Sequence, residues 1–364
     1  MHVSIFRPRL VLLLALCISV MMWFPSAYGD SGQWVKYSGN PVLTPTSNAW
    51  DSVFVTSPRV IFDGTSYRMW YVGGHAGATD IGYANSTDGV IWHKYSTFVL
   101  SPGPNGTWDS ARVWLGSVIW NGSLFFMWYQ GSSPVAYPNG AIGLATSVDG
   151  VSWVKYAGNP VLTPSSVDQK YIATPFVVRL ISTYSMWYAA RSAFDPNSVI
   201  RILYATSADG IRWSKWPSPA LSPSLNMSVW DSGAVFSPSV IYDGSNFGMW
   251  YSGMNQSLIA QIGYASSPDG ATWTKSADNP ILSPGPPGTW DSAGVQQAAT
   301  TVGNGLMLYY DGFTNTTTGA IGLARSPPGF TIAEFPSPLI SLFLVLITCA
   351  AICSTLYKRE RMRK

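Results

Sequence analysis

Trp50-Asp51-Ser52 opens a stretch that continues Phe54-Val55-Thr56-Ser57-Pro58-Arg59-Val60-Ile61-Phe62, Asp63-Gly64, Met69-Trp70-Tyr71, Ile81-Gly82-Tyr83-Ala84-Asn85-Ser86, Asp88-Gly89 and Trp92-His93-Lys94. β-Branched and aromatic runs broken by Gly, Asn and Asp turns are the pattern of short antiparallel strands. Four fit here, over 54–62, 67–73, 80–86 and 92–100. The series then recurs: Trp34, Trp92, Trp153, Trp213 and Trp273 open five units spaced by 58, 61, 60 and 60 residues. Met-Trp-Tyr returns at 69–71, 127–129, 186–188 and 249–251, with Leu308-Tyr309-Tyr310 in the last unit. Self-similarity at a fixed period is the signature of repeat architectures, and four strands per unit make one propeller blade. Residues 31–330 are therefore expected to form one all-β domain, a five-bladed β-propeller of four-stranded antiparallel blades around a channel.

The ends of the array predict how the ring shuts. The last unit offers strands at 295–302, 306–312 and 319–325 but no Trp-x-Lys strand after them, while residues 34–43 form an orphan strand of that type. Residues 34–43 are expected to supply the outer strand of the fifth blade, covering an otherwise open edge.

The 364-residue chain is 47% hydrophobic, 14% aromatic and 11% charged, too apolar for a disordered protein. Its net charge of +3 divides unevenly, because residues 30–335 carry 14 Lys/Arg against 17 acids. The basicity lies at the ends, which argues against nucleic-acid binding. Arg7 and Arg9 precede an apolar run from Leu10 to Phe24, and Ala27-Tyr28-Gly29 offers a small-residue cleavage site, so 1–29 reads as a secretory signal peptide. At the other end, 338–357 is long enough to span a bilayer as one transmembrane helix, and the basic tail 358–364 places that end in the cytoplasm. The propeller is thus expected on the outer face of the cell membrane. Its cysteines, Cys17, Cys349 and Cys353, all fall in these terminal segments, so the ectodomain has no disulfide or thiolate chemistry. Sequons at Asn85, Asn105, Asn121, Asn226, Asn255 and Asn315 suit a secreted glycoprotein. No cofactor motif is found, His75 and His93 are too few for a histidine-rich metal site, and a channel-bound ion stays open.

Two resemblances follow from these residues. The segment 331–337, with Ala333-Glu334-Phe335-Pro336 before the apolar run and basic tail, resembles the sorting signals of archaeal surface proteins, with Ala333 where Pro is usual. That resemblance implies a sortase-type processing enzyme as a partner. The blade pattern Asn-Pro-Val-Leu, Ser-Pro-Arg-Val-Ile, Asp-Gly, Met-Trp-Tyr and Ile-Gly-Tyr-Ala resembles the five-bladed propellers of glycoside hydrolases. These are the arabinanase, xylosidase, levansucrase and invertase group, with family 130 mannoside phosphorylases nearby. Carried over from family 43, the general base would fall at Ser57, the acid-tuning carboxylate near Leu115 and the general acid at Ala173, so none is a carboxylate here. Glu occurs only at 334 and 360, and a hydrolytic pair would have to be built from Asp.

Repetition within the chain sorts scaffold from candidate site. Asp51, Asp109, Asp231 and Asp291 in Trp-Asp-Ser, and Asp63, Asp243, Asp88, Asp149, Asp209 and Asp269 in hairpins, read as turn and capping residues. Asp51 is retained as an outside catalytic candidate because the first blade carries the base in the enzymes it resembles. Trp120 is expected in the core. Trp114 is expected either to stack on a sugar or to pack between blades, with Thr56, Ala173, Phe236 and Gln297 at the matching places. The third blade replaces Trp-Asp-Ser with Val167-Asp168-Gln169, and its next loop carries Arg191 and Asp195. Asp168 and Asp195 are the candidate acid–base pair. Arg112 and Arg191 would hold sugar hydroxyls or carboxylates, with Tyr171, Gln296, Gln297, His75, Asp80 and Asp311 as further binding candidates. The resulting expectation is a surface-anchored, carbohydrate-active propeller acting on or binding extracellular glycans. The alternative is a non-catalytic glycan-binding or surface-layer interaction and adhesion protein.

Overall fold

A computed structural model describes residues 34–327, apart from 76, 136–139, 167, 169–170, 191–198, 304 and 315–318. The expectations for 1–29, 331–337, 338–357 and 358–364 lie outside the described residues. Among the described residues, no helix is long and apolar enough to cross a membrane.

Five antiparallel four-stranded sheets follow one another along the chain. Blade one comprises Phe54–Phe62, Tyr67–His75, Ala78–Ser86 and His93–Lys94. The inner strands of the other blades are Arg112–Trp120, Ile172–Arg179, Ala234–Tyr242 and Gly294–Gly303. Each inner strand packs on the inner strands of the two adjacent blades, so the ring is closed. Closure occurs where the repeats predict it. Val35–Lys36 pairs with Gly319–Arg325 through Val35↔Arg325 and Lys36↔Ala324, and Leu43 bridges Ile321.

The outer strands are shorter than the predicted span, with regular pairing in blade one confined to His93–Lys94 before a single bridge from Leu100 to Ile81. In blades two, four and five an Asn-Pro step interrupts the ladder, since Pro has no N–H to donate. The Asn amide replaces the missing rung: Asn159 accepts from Leu144 N at 2.8 Å and donates to Leu144 O at 2.9 Å.

The Trp of Met-Trp-Tyr is fully buried, and in the first three blades it ties its blade to the next. Trp70, Trp128 and Trp187 donate Nε1 to the carbonyls of Gly150, Gly210 and Gly270, at 2.7, 2.9 and 2.7 Å. In the last blade the Tyr309 hydroxyl takes over, donating to Gly89 O of blade one at 2.7 Å. These glycines sit at φ between 74° and 81°, the left-handed region that glycine enters without strain. The hairpin aspartates are turn residues as expected: Asp149 accepts from the N–H groups of Val151 and Ser152 at 2.8 and 2.7 Å. Trp120 is not in the core. It is 45% exposed and lies against Phe125 at 4.5 Å, in the same hairpin pairing as Phe62–Tyr67 and Tyr242–Phe247.

Candidate functional site in the channel

The recurring Trp-Asp-Ser aspartates do more than cap turns. Asp51 accepts from Lys94 Nζ at 2.5 Å and from the Tyr71 hydroxyl at 3.2 Å. The same triad is built by Asp109 with Lys155 and Tyr129, Asp231 with Lys275 and Tyr251, and Asp291 with Lys36 and Tyr310. Asp168 belongs to this set. It is almost fully buried, pairs with Lys215 and accepts from Ser165 N, with Tyr188 beside it. Burial, and then the neighbouring carboxylate, push all five phenols well above the usual tyrosine range. Each triad joins the entry to an inner strand with its blade's outer strand, and Lys36–Asp291 does so across the closure. Asp51 and Asp168 are therefore bound into the scaffold by their lysine ion pairs.

The inner strands, which pack on one another around the ring, carry at each level residues that differ from blade to blade, and Leu115, Phe176 and Ala299 among them join the hydrophobic clusters between blades. Every inner strand carries a register shift near its middle. Before the shift, on the side of the loop that enters the strand, stand Thr56, Trp114, Ala173, Phe236 and Gln296. At the shift are Ser57, Leu115, Thr174, Ser237 and Gln297, and below it Arg59, Ser117, Phe176, Ser239 and Ala299. Gln296, rather than Gln297, is thus level with Trp114. Thr174, one residue beyond Ala173, is level with Ser57. A bulge adds one unpaired residue, which hides the slip from sequence spacing.

Ser57, Thr174, Ser237 and Gln297 hold φ of 52°, 44°, 48° and 54°, a conformation that costs side-chain-bearing residues about 1–2 kcal/mol each. Neighbouring blades hold two of them there. Ser57 N donates to Asp311 Oδ1 at 2.9 Å, and Gln297 N donates to Ser252 Oγ at 2.8 Å from the equivalent strand position. The Ser57 hydroxyl donates to Gln297 Oε1 and receives Trp114 Nε1 at 2.6 Å, so three blades meet at this side chain. Trp114 also lies 6.2 Å from Phe54, which joins the inter-blade packing to the channel lining.

One carboxyl and one guanidinium are enclosed at this level. Asp311 accepts from the Thr56 hydroxyl, and burial pushes its carboxyl well above the usual range against the pull of Thr56, Ser57 and Arg59. Arg59 donates Nε to Gly116 O and Nη1 to Pro58 O at 2.7 Å, and lies over the Phe176 ring. Burial lowers its pKa to about 10, with the Asp311 charge opposing. Gly116 is sterically obligatory, since a Cβ there would come within 2.4 Å of Pro175 Cγ and 2.5 Å of Trp128 O.

The remaining described candidates are scattered over several blades. Asp80 is buried with its Oδ2 3.7 Å from His75 Nδ1, and burial raises its pKa against the His75 charge. Thr79 beside it donates to Val113 O at 2.9 Å, which fixes this hairpin against blade two. Arg112 is exposed at the start of its inner strand, Tyr171 N donates to Asp168 O at 3.3 Å, and Gln296 is half-buried opposite Asp311. Arg191 and Asp195 lie outside the described residues.

No family model matches the chain. By sequence it is similar to an uncharacterized protein of Mycobacterium tuberculosis, 28% identical over 228 residues that span 60% of this chain and 73% of that protein. It is also similar to the vacuolar acid beta-fructofuranosidase 1 of a Rosa hybrid cultivar, 28% identical over 187 residues, or 47% of this chain and 28% of that one. Among solved structures, a glycoside hydrolase superposes with a TM-score of 0.66 at 18% identity, covering 83% of this chain and 95% of its own. A structure from the GH130 family of mannoside phosphorylases gives 0.64 at 16% identity, covering 85% and 99%. A thermostable family-43 glycoside hydrolase gives 0.61 at 19%, covering 78% and 92%. The chain shares the five-bladed propeller fold of these enzymes.

Proposed function

We propose that this chain is a surface-held propeller that recognises extracellular glycans at its channel. The observation that carries this reading is the layered lining of unlike residues around Ser57. Aromatic Trp114 and Phe236 accompany hydroxyls and amides of Thr56, Ser57, Thr174, Ser237, Gln296 and Gln297 at the upper two levels. Rigid aromatic faces with uncharged hydrogen-bonding groups suit a sugar ring, which is apolar on its faces and hydroxylated at its edge. The likeness to glycoside-hydrolase propellers and to a beta-fructofuranosidase supports the same class of ligand. Anchoring through 338–357, with the propeller outside the cell, completes the proposal and rests on the sequence alone.

The test is a panel of α- and β-linked oligosaccharides titrated into the purified full-length chain, with reducing-end release followed in parallel. Saturable binding without release is the result expected of a recognition protein. Release abolished in Asp195→Asn would instead make it a hydrolase with its chemistry in the third-blade loop. Absence of binding and release across the panel would reject the glycan reading.

A further inference from the structure

We infer that blade four carries a modification site: Asn226 and Asn255 take N-linked glycans, and these glycans cover an apolar patch on the loops that bear them. Unlike recognition at the channel, this needs only a propeller outside the cell. Two loops form the patch, 222–233 before Ala234–Tyr242 and 255–259 between Phe247–Met254 and Ala260–Ser267. Gly233 N donates to Met254 O at 2.7 Å and Gln256 Nε2 to Ser232 O at 3.1 Å, with Met227 Sδ 3.7 Å from the same amide, so the loops are joined. Leu225 is 98% exposed, Leu258 71% and Met227 66%. Neither 222–230 nor 254–260 contains a charged residue. Large apolar side chains gathered on a surface mark a face that something covers.

The residues between the apolar ones select the occupant. Two sequons are interleaved with them, in Leu225-Asn226-Met227-Ser228 and Asn255-Gln256-Ser257-Leu258. A bilayer or a dry protein interface that took the aliphatic side chains would have to desolvate these amides and hydroxyls too. A sugar chain rooted at the asparagines leaves them solvated while its bulk lies over the patch. The local bonding also leaves the reacting groups free. Asn226 Oδ1 accepts from Ser228 N at 3.0 Å, and Asn255 Oδ1 from Ser257 N and Ile259 N at 3.0 and 2.9 Å. These turns engage the amide oxygens, whereas both Nδ2 groups and the Ser228 and Ser257 hydroxyls make no hydrogen bond among the described residues. The other described sequons are less open. The Thr107 hydroxyl is held by Pro104 O and Asp109, the Ser123 hydroxyl by Asn121 Oδ1, and Asn85 lies in a strand paired on both sides. In the transfer, Asn Nδ2 bonds to the anomeric carbon of a sugar carried on a lipid-linked phosphate. The bond from that carbon to the phosphate oxygen breaks, its electron pair leaves with the phosphate, and the nitrogen gives up one proton. A membrane glycosyltransferase acting outside the cell supplies the donor.

The experiment isolates the full-length chain from the membranes of the cells that make it and maps its glycopeptides by mass spectrometry. Wild type, Ser228→Ala, Ser257→Ala and the double variant are compared. Each change ends a sequon yet keeps the Asn and the backbone N–H of its turn. Sugar is expected on Asn226 and Asn255 in wild type, with one site lost in each single variant and both in the double variant, while Ser228→Thr retains the first. Melting temperature should stay level, since both serines are exposed. The double variant should bind an apolar dye and self-associate where wild type does not, and adding Leu225→Ser should reduce both. Sugar missing from either asparagine in wild type would overturn the inference. So would a double variant that has lost its glycans and binds no more dye than wild type. Oligosaccharide titration of the same preparations reads recognition at the channel separately, so either failure leaves that proposal standing.

Discussion

The outer locks and the channel lining are built by the same five repeats and obey opposite rules. At the locks every blade uses the same chemistry: an Asp before the inner strand, a Lys on the outer strand and a Tyr between them. Along the inner strands no level keeps one residue type. Ser57, Leu115, Thr174, Ser237 and Gln297 share a position and little else. A residue required by blade geometry must recur with the blade. A residue that contacts something lying off the ring's symmetry is free to differ, and recognition of an asymmetric ligand needs it to.

This comparison is broken most directly at a lock. Asp168→Ala should destabilise the protein by about 3–4 kcal/mol, because it strands the Lys215 ammonium in a half-closed site. Urea unfolding would read the loss, and Asp231→Ala should behave alike. If Asp168→Ala were far milder than Asp231→Ala, the third blade would be exempt from the rule. Gly116→Ala should follow at about 2–3 kcal/mol, since the backbone and Pro175 that a methyl would strike cannot swing away as a flexible side chain can.

The pH dependence has two opposed limbs. Hydrogen bonds from backbone N–H groups hold the carboxyls of Asp88, Asp149, Asp209 and Asp269 below their usual range, and the Ser66 and Thr65 turn does so for Asp63 against its own burial. Their stabilisation is present above the unfolded value of about 4 and is lost as pH falls towards the depressed values. Asp311 is raised, so its contribution is full below about 4 and is lost as pH rises through its raised value. Melting temperatures across the acid range should fall steeply below about pH 4 in wild type, and less steeply in Asp149→Asn. The smallest effect is expected at Trp120→Ala, within about 1 kcal/mol, because this indole is nearly half exposed.

Blade number, strand order and closure by residues 34–43 were legible because period-two strands and Asp-Gly turns are local signals repeated in phase. The locks were harder to read. Their partners are 43 to 47 residues apart within the chain, or 255 apart at the closure, so no local pattern joins them. A signal was nonetheless present: the Trp-x-Lys lysines recur at 36, 94, 155, 215 and 275, in phase with an Asp before each inner strand. Read by phase, Asp168 falls into that series even though its neighbours have changed. The change of neighbours is what sets it apart in the sequence. The channel layers were blurred for another reason, since a bulge displaces one residue and exchanges Gln296 with Gln297. Trp120 was misplaced because a hairpin aromatic can cover its neighbour, as Phe62 covers Tyr67, while its own outer face stays in solvent.

One comparison separates the two regions most directly: glycan affinity and melting temperature measured together for Asp168→Asn and Gln296→Ala. The account predicts that Asp168→Asn lowers the melting temperature and retains affinity per folded molecule, whereas Gln296→Ala, which truncates a half-buried side chain level with Trp114, weakens affinity about tenfold with the melting temperature preserved. Asp168→Asn abolishing binding with an undisturbed fold would contradict it, and would return that aspartate to the site.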